Sequence, residues 1–334
     1  MKASTIITSV MAAGCLAMAA AAAEGRQLKI VATSFPHYDW TREVLGERLA
    51  ETDLVLLQQS GVDLHSYSPS ASDLLKIAAC DLFVFVGGES DEWTERALAQ
   101  KGNPRRRILN LVKTLGSAAK EEKIVEGMEH EHHHHEADHG HDDHDKDKDH
   151  DHDEDEHEID EHVWLSLRNA VKFVKAIAAD LAALDPANAA TYRANAAAYC
   201  AKLSALDRAY AATVSGSKRK TILVADRFPF RYLADDYGLT YFAAFSGCSA
   251  ESEASFKTVV FLARKVDELK LPVILTMEGV RHKIAETVKR TTKAQDQRIL
   301  TLDSLQSTGG EAAKTTRYID VMKRNLEALK AALD

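Results

Sequence analysis

An α/β protein of two lobes braced by one long helix is the architecture the sequence predicts, and three observations predict it. Short apolar runs of strand length alternate with amphipathic segments of helix length in the front part, and the same rhythm returns in the back part. Between the two lies an alanine-rich stretch, 187–215, that reads as one uninterrupted helix. Just before it, at 129–161, sits a segment of wholly different composition. Strand–helix alternation implies parallel sheets covered by helices on both faces.

Taken in order, Leu28–Ala32, Thr52–Leu57 and Leu82–Val86 read as buried strands, with helices over Tyr38–Leu49, Ser70–Ala79 and Trp93–Ala99 between them. The front lobe is expected over 24–186, including the insertion. Its last helix runs from about Arg168 to Leu184 and stops at Asp185-Pro186. The helix at 187–215 would be about 42 Å long, the span of a small domain, so it can brace two lobes rigidly. The back lobe, 216–334, has strands at Thr221–Ala225, Thr240–Phe245, Val273–Thr276 and Arg298–Leu302. Helices fall near Phe230–Tyr237, Ala254–Leu269, Val280–Thr291 and Thr315–Leu333. In such folds ligands lie at the carboxyl ends of strands and in the cleft between lobes.

Length and charge narrow the function. The 334 residues are enough for two domains with a core in each. The net charge of −9 is misleading, because 129–161 carries 17 Asp/Glu against Lys146 and Lys148, a net of −15. The remainder sums to about +6 and contains no basic block dense enough for a nucleic-acid stripe. Lys2, the apolar run Ile6–Ala23 and the small residues Ala21-Ala22-Ala23 read as an export signal over 1–23, with lipid attachment at Cys15 as the competing reading. Cleavage before Glu24 would leave Cys80, Cys200 and Cys248, whose spacing excludes C-x-x-C and leaves any pairing open. No H-E-x-x-H, G-x-S-x-G or Cys–His nucleophile context appears, which argues against a hydrolase.

Residues 130–157 hold 11 of the 15 histidines, including His132, His133, His134 and His135, among Asp and Glu with almost no hydrophobic side chain. Such a segment cannot bury enough surface to fold alone and is expected to be a mobile loop with weak metal sites. Four histidines lie elsewhere. His65 follows an apolar strand, and His162 stands where the chain re-enters the core. Each alone is as easily a surface histidine as a ligand. Asp226, Glu278 and Asp303 occupy matching strand ends in the back lobe, although a strand-end Asp is often only a helix cap. Imidazole nitrogen and carboxylate oxygen together suit a borderline divalent ion such as zinc or manganese.

These residues carry a resemblance. Gly61-Val-Asp-Leu-His65-Ser-Tyr-Ser-Pro-Ser-Ala-Ser-Asp73, Cys80-Asp-Leu-Phe-Val-Phe-Val-Gly87 with Glu92-Trp93, Asp160-Glu-His162-Val-Trp-Leu, Tyr237-Gly-Leu239 and Leu302-Asp303-Ser-Leu305 are similar to signposts of one family. Over essentially all of the mature chain the sequence resembles the zinc/manganese solute-binding proteins of bacterial ABC importers, and the histidine-rich insertion is a feature of the zinc type. The resemblance implies two α/β lobes with a metal cleft between them, an extracytoplasmic monomer, delivery to an ABC permease, and no catalytic activity. It implies ligands at His65 and His162 and at Asp303. The family's third ligand falls on Arg227, which cannot bind a cation, and a one-residue insertion puts Asp226 there instead. His282, Glu278 and His37 are further candidates. Two histidines with two carboxylates is the manganese-type set, whereas the histidine-rich segment points to zinc. Zn2+ is the expected cargo and Mn2+ the alternative. The loop is expected to raise metal concentration near the cleft, and capture to weaken below about pH 6.5 as imidazoles protonate. An adhesin or a periplasmic metal chaperone is the rival outside transport.

Overall fold

The computed structural model describes residues 27–59, 61–129, 158–247, 249, 253–279 and 282–334. The export signal with Cys15, the histidine-rich segment with His132–His135, and Cys248 lie outside them. In the front lobe the order is β1 (Leu28–Ala32), α1 (Phe35–Leu45), β2 (Thr52–Leu56), α2 (Ala71–Ala79), β3 (Leu82–Phe85), α3 (Trp93–Ala99), β4 (Arg107–Asn110) and α4 (Leu111–Leu115). Two longer helices follow, α5 (Leu167–Leu184) and α6 (Ala189–Gly216). The back lobe runs β5 (Thr221–Phe228), α7 (Arg231–Tyr237), β6 (Thr240–Ser246), α8 (Phe256–Leu269), β7 (Val273–Met277), α9 (Lys283–Thr291), β8 (Arg298–Leu302), α10 (Gly310–Thr315) and α11 (Tyr318–Leu333).

Each lobe carries a four-stranded parallel sheet, ordered β2-β1-β3-β4 in front and β6-β5-β7-β8 behind. The two orders are the same winding, so each sheet changes direction beside its first strand, where a crevice opens at the carboxyl ends. Strand β3, all apolar, and β7, apolar but for Thr276, are buried along their whole length, as helices on both faces require.

Helix α6 has 28 residues, about 42 Å, and buries a stripe of Tyr192, Ala196, Tyr199, Leu203, Leu206 and Tyr210 at helical spacing. It is tied to both lobes. Asn195 Nδ2 donates to Val44 O of α1 at 3.0 Å, and Tyr210 OH donates to Met322 O of α11 at 2.6 Å. One apolar cluster runs without a break from Ile30 and Trp40 in front through α5 and α6 to Leu275 and Tyr318 behind. The expected cleft is therefore a seam between lobes that share a core.

Among the differences from the sequence expectation, three bear on the fold and the site. Strand β4 was not anticipated, since Arg107-Ile-Leu-Asn110 is only four residues long with two of them exposed. Helix α1 starts earlier, at Phe35, because Pro36 suits a first turn and Ser34 caps it. Strand β5 continues to Phe228 through a register shift between Val224 and Arg227, so Asp226 lies within the irregular strand, not beyond its end.

Candidate metal centre

His65 sits in a 3-10 turn, Leu64–Ser66, on the loop after β2, and the turn is started by Asp63, whose Oδ1 accepts from His65 N at 3.1 Å. His162 heads a second 3-10 turn, Val163–Leu165, and is fully buried. Asp160 fixes it twice, accepting from His162 N and contacting its Nδ1, both at 2.9 Å. Gly247 must be small here, because a Cβ on it would come within 2.9 Å of His162 Cε1.

These two turns bring the rings together. His65 Nε2 and His162 Nε2 are 3.2 Å apart, with ring centroids at 5.2 Å. Two nitrogens bound to one zinc at 2.0–2.1 Å with tetrahedral angles would be about 3.3–3.4 Å apart. The pair is thus spaced for a shared cation. On the far side of each ring, Nδ1 has its own partner. His162 Nδ1 meets Asp160, while His65 Nδ1 lies 2.6 Å from Ser90 Oγ and 3.7 Å from Glu161 Oε2. A proton kept on Nδ1 leaves the Nε2 lone pair free for a metal, the arrangement found behind most metal-bound histidines.

Burial shapes the charges. Loss of solvent, then the nearby His162, lowers His65 to a pKa of about 3, so its imidazole stays neutral well below the range of free histidine. Its protonation is accordingly not what would weaken capture near pH 6.5. Burial raises Glu161 to about 7, and Glu161 Oε2 has no hydrogen-bond partner. Gly88, at φ +97°, allows this carboxylate in, since a Cβ there would stand 2.5 Å from Glu161 Oε1.

The other expected ligands go elsewhere. Among the described residues no group of three or more His, Cys, Asp or Glu side chains is placed to hold a metal, so the expected convergence of His65, His162, Asp226 and Asp303 is not formed. Asp226 Oδ2 accepts from Thr276 Oγ1 at 2.9 Å and from Met277 N at 3.3 Å, tying β5 to β7. His282 Nδ1 joins that group, 3.3 Å from Thr276 Oγ1. Asp303 Oδ1 accepts from Leu305 N at 2.9 Å, and Glu278 accepts from Ser304 N and Oγ, both at 2.7 Å. Burial and mutual repulsion raise Glu278, and burial raises Asp303. His37 is a cap: its Nε2 accepts from Ser34 N at 2.9 Å, its Nδ1 lies 3.3 Å from Ser34 Oγ, and burial lowers it to a pKa of about 3. Arg227, which the resemblance puts where a third ligand is expected, pairs across the seam with Asp63 at 2.8 Å.

In place of a carboxylate, the back lobe offers an amide. Gln306 Nε2 lies 2.9 Å from His65 Nε2 and 2.8 Å from His162 Nε2, and Gln306 Oε1 lies 2.9 Å from Ser304 Oγ. Sequence reasoning missed Gln306, Ser90 and Glu161 because amides, hydroxyls and off-spacing carboxylates are not marked as ligands. The only available signal was position, for each lies within four residues of a recognised signpost.

Residues 30–332 match the model of a family described as ZnuA, zinc-uptake complex component A, periplasmic. The chain is 33% identical over 312 residues to the zinc-binding lipoprotein AdcA of Streptococcus pneumoniae serotype 4, covering 93% of this chain but 57% of that protein, so it spans little more than half of that relative's length. It is 33% identical over 310 residues to the high-affinity zinc uptake system protein ZnuA of Bacillus subtilis, covering 93% of this chain and 89% of that one. Its fold is similar to the crystal structure of the Zn(II)-bound ZnuA-like domain of Streptococcus pneumoniae AdcA, with a TM-score of 0.69, 29% identity, and coverage of 92% of this chain and 100% of that domain.

Proposed function

We infer that this chain, which belongs to the ZnuA family of periplasmic zinc-uptake components, captures zinc outside the cytoplasm and hands it to an ABC permease. One observation carries the reading: two imidazoles meet across 3.2 Å, nearly hidden from solvent, each with its Nδ1 engaged on the side away from the other. Nitrogen donors favour zinc over manganese in the affinity order of divalent metals, so the pair favours zinc as cargo. Two neutral rings leave the 2+ charge to nearby carboxylates, and Asp160 and Glu161 lie directly behind them. Asp226 and Asp303 would join the ligand shell only by exchanging the hydrogen bonds that now hold them.

The export signal and the two-lobe division at 24–186, 187–215 and 216–334 are part of the same reading. The histidine-rich segment serves as a reservoir that raises zinc concentration beside the seam. The relatives' names support zinc uptake, being a zinc-binding lipoprotein and a high-affinity zinc uptake protein. The test removes residues 130–157 and compares zinc with manganese by chelator competition and elemental analysis. The expected result is one tightly held zinc per chain, displaced poorly by manganese. Retention of manganese in preference to zinc, or of neither, would overturn the reading.

A further inference from the structure

A groove of about 620 Å³ lies between α1, α6 and the start of α11, and it shares no lining residue with the histidine pair. That volume is ordinary for a small-molecule site. Leu206, Ala209 and Ile319 give the groove an apolar wall, while Glu43, Lys202 and Arg317 bring both signs of charge to it. We propose that this groove binds a small zwitterion with an apolar side chain, that is, an apolar α-amino acid.

Two polar groups in the lining lack the partners that their burial calls for. Tyr199 is 2% exposed, and its hydroxyl, cut off from solvent, has no hydrogen-bond partner among the described residues. Burial, then the neighbouring Asp39, holds this phenol well above its usual range, so it keeps its proton and can donate. A buried hydroxyl with no partner is costly, and such groups are uncommon in folded proteins. Glu43 is half-buried, and burial, then Asp39, raises its carboxyl. Lys202 and Arg317 offset this through their charge, with no ion pair to Glu43 among the described residues.

The remaining charges narrow the ligand. Asp320 and Lys323 pair with each other at 2.9 Å, so they neutralise one another at the rim. Arg317 Nη1 donates to Lys314 O at 3.2 Å and to Thr316 O at 3.1 Å, which fixes the guanidinium beside the groove. A simple cation would answer Glu43 but meet repulsion from Lys202 and Arg317, and a simple anion would meet the reverse. An ammonium and a carboxylate in one small molecule answer both signs. The ammonium would go to Glu43, and the carboxylate to Lys202, Arg317 and the Tyr199 hydroxyl. The ligand's side chain would then cover the apolar wall. Glu43 belongs to the front lobe and Ile319 to the back one, so the bound molecule would join helices of both.

The full chain is titrated by calorimetry with L-leucine, with isocaproate, which lacks the ammonium, and with isoamylamine, which lacks the carboxylate. The leucine titration is repeated on Glu43→Gln, Tyr199→Phe and His65→Ala, with thermal unfolding to establish that each is folded. One leucine per chain is expected. Each analogue should bind about tenfold more weakly or worse, since each loses a charged contact. Glu43→Gln should weaken leucine by a similar factor. Tyr199→Phe removes an unsatisfied hydroxyl, so it should raise the unfolding temperature of the free protein and shrink the further rise that leucine gives. His65→Ala should bind leucine as wild type does, which keeps this site separate from zinc capture. Absence of saturable leucine binding, equal binding of either analogue, or an unchanged affinity in Glu43→Gln would overturn the proposal. So would a fall in the unfolding temperature of free Tyr199→Phe, because the hydroxyl would then already be satisfied by water.

Discussion

Asp160 shows how one side chain can fix a histidine ring from behind. Its Oδ1 contacts both His162 N and Nδ1, so it sets the ring's tautomer and its direction together. Asp160→Asn keeps an oxygen there but removes the charge that offsets the cation. Zinc affinity should fall about tenfold or more, measured by chelator competition, with the unfolding temperature little changed. His37 makes the opposite point, since it resembled a cleft histidine and is a cap. The capping-box pattern puts Glu or Gln three residues after Ser or Thr, and here Ser34 is followed by His37. Burial lowers its pKa to about 3, against about 6.5 in an unfolded chain. Between those values the unfolded state holds a proton that the folded state refuses, so stability falls as pH drops through that window. The slope is about 1.4 kcal/mol per pH unit for each such group. His37→Gln, which preserves the box, should flatten the dependence of denaturant stability on pH between about 6.5 and 4.5 by up to that slope.

At the scale of elements, the two lobes are latched by α1 and the α10–α11 turn. Arg42 donates to Ala313 O and Lys314 O at 3.0 Å and to Thr316 O at 2.6 Å, and it pairs closely with Asp39. Asp39 in turn accepts from Tyr318 N at 2.6 Å. Arg42→Met leaves Asp39 buried with its charge unanswered, and should cost about 3–5 kcal/mol in denaturant unfolding. Zinc stoichiometry should survive, because the latch lies on other elements. This latch also marks what the sequence could and could not tell. Strands β1, β7 and β8 and helices α3 and α6 were legible because apolar period and length agree in each. Strand β4 was not, being an arginine-led edge of four residues. Asp226 lies inside β5 and not after it because the strand runs on through a register shift, which leaves no apolar signature. His65 and His162 were legible as motif residues. Gln306 was not, because the two imidazole nitrogens it meets come together only in the folded chain.

The whole molecule is built to move little. The core continues through α5 and α6 from one lobe to the other, and the seam is crossed by Trp164 Nε1 donating to Ser304 O at 2.8 Å, by the Asp63–Arg227 pair, and by Gly61 N donating to Ser307 O at 3.1 Å. A wide hinge would tear this core, so release of cargo should proceed by local rearrangement of the loops that carry His65 and Gln306. Small-angle scattering of the protein lacking residues 130–157 should give the same radius of gyration with and without zinc, and an opening of several ångströms would contradict a shared core. Zinc capture by this chain requires one cation held between two imidazoles. Its most direct test is the zinc stoichiometry and affinity of the His65→Ala/His162→Ala double variant without residues 130–157. Loss of tight zinc from a folded protein is predicted. One zinc per chain at wild-type affinity would contradict it.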